Sequence, residues 1–280
     1  MGHTESAVAA LDLDDCLITA FNAARLGSSR LLDAYADQVK GRWEGPAASA
    51  DGPGRDSERA VRAILYESFP DHRVYVGEGP LPGEDPDIFW RADPLDGAWS
   101  FGHGSPFFSV SLSLVHKGAS GSYETLLGVV LAPVLMELFW AVAGGGAFQW
   151  RQVPGIGLCE GPISVSDCGR VEDAAVRTGL MPPGPRGRAP HVRVQKAVKA
   201  LAAEESCSLA LAYVAGGRAE GFFRTSGDPW GLAAGAILVS EAGGRVSAMD
   251  GGGYRPGADG GILATNGLLH GKLEEILAGR

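Results

Sequence analysis

Asp93 and Asp96 stand three residues apart within the stretch from Arg91 to Lys117, RADPLDGAWSFGHGSPFFSVSLSLVHK. Pro94 and Leu95 separate them, and the apolar run Ile88, Phe89, Trp90 precedes them, so a strand is expected to deliver two carboxylates into a tight turn. Hard cations such as Mg²⁺ take oxygen ligands of this kind, and the Leu95 carbonyl adds a further one. Gly97 and Ala98 open a short helical or turn segment whose free backbone N–H groups could face a phosphate beside those cations. A metal-assisted phosphoryl site uses both features. The competing reading is a plain turn, because Asp, Pro and Gly all punctuate chains. His103 and His116 are local candidates for acid–base work or substrate contact, against the commoner role of a surface or capping residue.

The elements that position this stretch follow from periodicity. Glu5 to about Val39 carries apolar residues at helical spacing, Leu13, Leu17, Phe21 and Ala24, continued by Leu31 and Tyr35. Gly41 to Asp56 reads as a loop, and a second helix is expected to start at Asp56 and bury Val61, Ile64 and Leu65. Arg73 to Gly77 is a short strand leading to Glu78. Phe107 to Val115 alternates apolar residues with Ser109, Ser111 and Ser113, the pattern of a strand with one buried face. Leu126 to Leu131 and Leu138 to Val142 follow as neighbours, and Gln152 to Gly161 reads as a loop. In the second half, a turn-rich segment (PPGPRGRAP) precedes a helix over His191 to Ala203, and Leu209 to Val214 reads as a buried strand or helix turn. Asp228 and Pro229 read as the start of a helix that stops at Gly243. Strands at Arg245 to Ala248 and Gly261 to Ala264 and a helix from Leu268 to Leu277 close the chain.

With 280 residues, 45% of them hydrophobic, the chain can bury one large core or two intimately packed ones. The halves are expected at residues 1–160 and 161–280. A net charge of −9 with scattered basic residues excludes the footprint of a nucleic-acid binder. No apolar run is long enough to span a membrane, and the N-terminus lacks the pattern of a secretory signal. Cys16, Cys159, Cys168 and Cys207 lack metal-ligand spacing, which points to reduced thiols and a cytoplasmic protein.

The segment DPLDGAWSF resembles the DP-(I/L)-DGT-x-NF signature of the inositol monophosphatase family. GVVLAPVLMELFWAVAGGGAF, LALAYVAGGRAEGFF and PWGLAAGAILVSEAGGRV resemble that family's later blocks, in the family's order, so nearly the whole chain is covered. The resemblance implies a layered αβαβα sandwich of the α/β class, a homodimer and a small-molecule substrate. It also implies Mg²⁺ held by Glu78, Asp93, the Leu95 carbonyl and Asp96, with Glu78, Asp93 and Asp96 as the catalytic carboxylates and Gly97, Ala98, His103 and Arg224 lining the substrate.

Several positions depart from the family pattern. Gly54 falls where an Asp orients the attacking water, with Asp51 and Asp56 close but out of register. Gly79 replaces a second Glu, Ala98 a Thr hydroxyl that aims the water, and Gly231 an Asp that ligates a further metal, with Asp228 nearby. Glu205 stands where the family tends to place Gly, and Glu220 where it places Asp. Arg224 replaces a carboxylate that receives substrate hydroxyls, and a five-donor cation there favours a ligand with its own carboxylate or phosphate. From these losses the expectation is a single weak Mg²⁺ site, ordinary ester hydrolysis lost, and a repurposed biosynthetic enzyme using carboxylate acid/base chemistry on a specialised metabolite. The alternatives are a Mg²⁺-dependent phosphatase of a small phosphate ester and a non-catalytic binding protein.

Overall fold

A computed structural model describes residues 11–40, 46–77, 86–118, 121–181, 184–227, 230–258 and 260–280. Two long helices, α1 (Leu13–Val39) and α2 (Pro46–Ser68), come first. They cover one face of a seven-stranded sheet that runs in chain order, β1 (Arg73–Val76), β2 (Ile88–Asp96), β3 (Ser109–Lys117), β4 (Tyr123–Ala132), β5 (Glu137–Val142), β6 (Gly146–Val153) and β7 (Gly157–Pro162). β1 pairs in parallel with β2, and the rest is an antiparallel meander. The short α3 (Ala98–Gly102) interrupts the run between β2 and β3.

A second sheet has the order β11-β12-β10-β8-β9, built from β8 (Ala175–Thr178), β9 (Ala200–Ala203), β10 (Gly221–Arg224), β11 (Arg245–Ala248) and β12 (Ile262–Thr265). Two helices, α5 (Cys207–Ala215) and α6 (Ala233–Glu241), lie between the sheets. Both are apolar on nearly every side, as a helix buried by layers above and below must be. Their core joins Val130 and Phe139 of the first sheet to Phe222 and Ile262 of the second. α4 (Gly184–Ala197) and α7 (His270–Ala278) form the outermost layer, through Val194, Leu273 and Leu277. The result is the expected αβαβα sandwich. The first sheet ends at Pro162, beside the division placed at residue 160, but α5 and α6 share one core with both sheets.

Close approach of α6 to the first sheet depends on Gly128. A Cβ there would meet Ile237 Cγ2 at 2.6 Å and the Ala234 carbonyl at 2.7 Å. That contact brings the start of α6 over β3 and β4, where the cavity described below opens.

Several elements differ from the sequence reading. The helix expected at Asp56 begins at Pro46 and carries Pro53 inside it. Of residues 152–161, read as loop, 152–153 end β6 and 157–161 belong to β7, paired to β6 in register. The turn-rich PPGPRGRAP belongs from Gly184 onward to α4, which stops at Ala197, and residues 200–203 form the edge strand β9 instead of prolonging that helix. The last interlayer helix starts at Ala233, with Leu232 as its N-cap, not at Pro229. β3 is buried on both faces, so its serines do not face water.

Candidate active site

The DPLDG turn sits at the end of β2 and is held from three sides. Ser57 on α2 donates its hydroxyl to the Pro94 carbonyl at 2.9 Å, and the Leu95 amide donates to Asp93 Oδ1 at 3.1 Å, closing a local turn. Gly97 takes φ 96° as the N-cap of α3, and a Cβ on it would sit 3.0 Å from the Phe107 carbonyl. Only glycine combines that φ with that space. Gly54 lies on α2 beside the turn, where a Cβ would come 3.6 Å from Leu95 Cδ2. Position 54 thus lies next to the turn and carries no side chain.

Asp96 is the most enclosed of the acids. Its Oδ2 accepts from Ser206 Oγ at 2.8 Å, the Ser208 amide at 2.9 Å and Ser109 Oγ at 3.4 Å, and its Oδ1 accepts from the Cys207 amide at 3.2 Å. The carboxylate thus caps α5, satisfying amides that a helix start leaves open. Burial raises its pKa, opposed by the hydrogen bonds from Ser206, Ser208 and Cys207. Ser208 also donates its hydroxyl to the Gly231 carbonyl at 3.1 Å, tying the start of α5 to the start of α6.

A cavity of about 440 Å³ opens above these residues. Asp93, Leu95, Asp96, Gly97, Ala98 and Arg224 line it together, as the sequence reading grouped them. Gly231 lines it too, without a side chain to offer. His103 does not: it is exposed at the end of α3, its Nδ1 is 2.7 Å from the Trp99 carbonyl, and its ring lies against Trp99. The expectation of substrate contact at His103 is therefore corrected to a helix-end contact. His116 is buried on β3, away from the cavity lining. Asp56 is exposed and faces Arg59 at 3.6 Å, so it replaces no site carboxylate. Glu78, Gly79 and Asp228 lie outside the described residues, as does the side chain of Asp51.

Four further lining residues, Ser111, Ser113, Arg91 and Glu205, were not assigned to the site from the sequence. Ser111 and Ser113 face the cavity from β3, paired across to Asp93 and Arg91 of β2. Arg91 is buried, donates to the Gly77 carbonyl at 2.9 Å and lies 5.0 Å from the Trp230 ring centre. It shares a strand face with Asp93, two residues on, so a guanidinium and a carboxylate enter the cavity together. Glu205 accepts from the Ser100 amide at 2.6 Å, setting a carboxylate against α3. The alternation in FWRAD puts Arg91 on the strand face of Asp93.

Among the described residues, no three His, Cys, Asp or Glu side chains are grouped closely enough to hold a metal by themselves. Mg²⁺ asks less than that: it binds through one or two carboxylates and keeps waters and substrate phosphate oxygens as its other ligands. Asp93 and Asp96 both line the cavity, which is the number of carboxylates such a cation would need.

The inositol monophosphatase family model matches residues 12–279. The chain belongs to that family. Inositol monophosphatases are Mg²⁺-dependent phosphatases, and among similar proteins is a chloroplastic phosphatase of Arabidopsis thaliana, 32% identical over 91% of this chain and 68% of its own length. An inositol-1-monophosphatase of Mesorhizobium japonicum is 34% identical over 75% of each chain. The solved structure of a Thermotoga maritima IMPase superposes with a TM-score of 0.78 at 30% identity, covering 95% of this chain and 97% of its own.

These relatives overturn the expectation of a repurposed biosynthetic enzyme with hydrolysis lost. The folded site shows a cavity that keeps the turn, both aspartates and an added buried guanidinium in one place. The family assignment and the phosphatase relatives support ester hydrolysis.

Proposed function

We propose that the protein hydrolyses a small phosphate monoester with a single Mg²⁺ bound at the DPLDG turn. The observation that carries this reading is the meeting of Asp93, Asp96 and Arg91 in one cavity. Asp93, Asp96 and the Leu95 carbonyl would hold the cation, joined by Glu78 as the resemblance implies. When bound, Mg²⁺ supplies charge stabilisation to the phosphoryl group and acidifies a water.

The protein's own groups do the rest. Arg91, pinned by the Gly77 carbonyl and the Trp230 ring, brings a permanent positive charge toward the phosphate without the entropy cost of ordering a free side chain. Ser111 and Ser113 add hydroxyls on the adjoining wall. Water oxygen bonds to phosphorus, the phosphorus–oxygen bond to the alcohol breaks, and the departing alkoxide takes up the proton that the attacking water gives up. Glu205 stands near the start of α3, where its carboxylate suits a substrate hydroxyl.

Because Ala98 has no hydroxyl, the attacking water depends on the cation and its carboxylates, and activity should follow Mg²⁺ closely. The test is phosphate release before and after chelation with EDTA: release should fall to background and return on adding Mg²⁺ along a one-site curve. Release indifferent to EDTA would rule the reading out. The proposal also takes the protein to be a cytoplasmic homodimer, which size-exclusion chromatography with light scattering checks as to assembly.

A further inference from the structure

We infer that the substrate carries a second anionic group, a carboxylate or another phosphate, and that Arg224 binds it. The inference rests on the phosphatase reading and specifies the class of ester. Arg224 is the last residue of β10, half-buried, and its side chain lines the same cavity as Asp93 and Asp96. Two glycines make the slot it occupies. A Cβ on Gly227 would fall on the guanidinium itself, and one on Gly179 would come 3.2 Å from Arg224 Cγ. Gly227 also has φ 130°, a backbone conformation that side-chain-bearing residues rarely adopt.

Among the described residues the guanidinium held there has no counter-charge. Among the described residues its one polar partner is the Cys207 thiol at 3.7 Å, a weak acceptor, and no Asp or Glu lies within ion-pair distance. Two other half-buried arginines do meet carboxylates: Arg177 meets Glu204 at 2.6 Å and Arg218 meets Glu137 at 2.6 Å. A cation with five donors, slotted between glycines and facing a cavity, is completed by an anion from outside. Glu205 lines the same cavity and repels an anion from its own side, which leaves Arg224 as the place for one. A carboxylate and a phosphate both match the guanidinium's fork, so the shared chemistry is a planar pair of anionic oxygens.

The test is calorimetry on the full chain with Mg²⁺ present, using probes that cannot be hydrolysed: methylphosphonate, phosphonoacetate and methylenebisphosphonate. Wild type should bind one of the two larger probes about 10- to 100-fold more tightly than methylphosphonate, the range of a charge-assisted hydrogen-bonded contact. Arg224→Gln should remove that advantage and leave methylphosphonate binding unchanged, while Arg224→Lys keeps part of it. Since the larger probes also chelate Mg²⁺, the change on Arg224→Gln decides. Preference for phosphonoacetate or for methylenebisphosphonate tells a carboxylate from a phosphate. Equal affinity losses for all three probes in Arg224→Gln, or no loss for any, would overturn the inference while leaving the phosphatase reading intact. Failure of wild type to bind even methylphosphonate would remove both. Far-UV circular dichroism and Mg²⁺ binding matched to wild type establish that the variants are folded.

Discussion

Ser206 donates its hydroxyl to Asp96 at 2.8 Å, joining the DPLDG turn to the start of α5 across 110 residues of sequence. This bond holds two halves of the site together. A hydrogen bond to a charged group contributes about 1.5–3 kcal/mol, and its removal leaves a buried carboxylate with one donor fewer. Ser206→Ala should therefore destabilise the fold by roughly 1–3 kcal/mol in urea unfolding. A variant of unchanged midpoint would show that Ser109 and the Cys207 and Ser208 amides hold Asp96 without it.

Gly97 should tolerate no side chain. At φ 96°, with the Phe107 carbonyl 3.0 Å from where a Cβ would stand, alanine must strain the backbone or push β3 away. Gly97→Ala should lose about 1–3 kcal/mol of stability and weaken phosphonate binding by shifting the turn. Gly104→Ala is the control, since its φ of 69° is also positive but nothing lies within 4 Å of its Cβ position. Equal effects at both sites would mean that φ alone, and not the contact with β3, sets the cost.

Much of this architecture was legible in the sequence, and the failures share a cause. The DPLDG turn, β3, β4, β5 and the helix burying Ile237 and Leu238 announced themselves through local pattern and spacing. The serines of β3 misled because alternation normally means one wet face, whereas here α5, α6 and the cavity cover that face as well. Pro53 and Pro190 argued against helix at places where tertiary packing overrides propensity. β9 lies at the sheet edge, where pairing with β8 decides the conformation of ALAA. Arg91 and Glu205 were unreadable as site residues because their meaning lies in what faces them across the cavity.

His270 gives the fold a pH dependence of known sign. It is fully buried, its Nδ1 is 3.0 Å from Thr265 Oγ1 and its Nε2 2.9 Å from Ser247 Oγ. Burial lowers its pKa, Arg245 lowers it further, and Glu274 at 3.4 Å opposes both. The unfolded chain therefore binds this proton more readily, so the contribution to stability is complete above about pH 6.5 and declines as pH falls toward the folded value. The urea midpoint should drop on acidification from pH 7 to 5, and His270→Gln should flatten that drop. Parallel curves for the two proteins would assign the acid sensitivity to other groups.

The most direct test of the account is release of inorganic phosphate by the full chain with Mg²⁺, from a set of small monoesters with neutral and anionic leaving alcohols, in wild type and Asp93→Asn. The account predicts at least one ester turned over at about 1 per second or faster, and a loss of about 10²-fold or more when Asp93 can no longer offer a charged ligand. No Mg²⁺-dependent release from any ester, or undiminished release by Asp93→Asn, would contradict it.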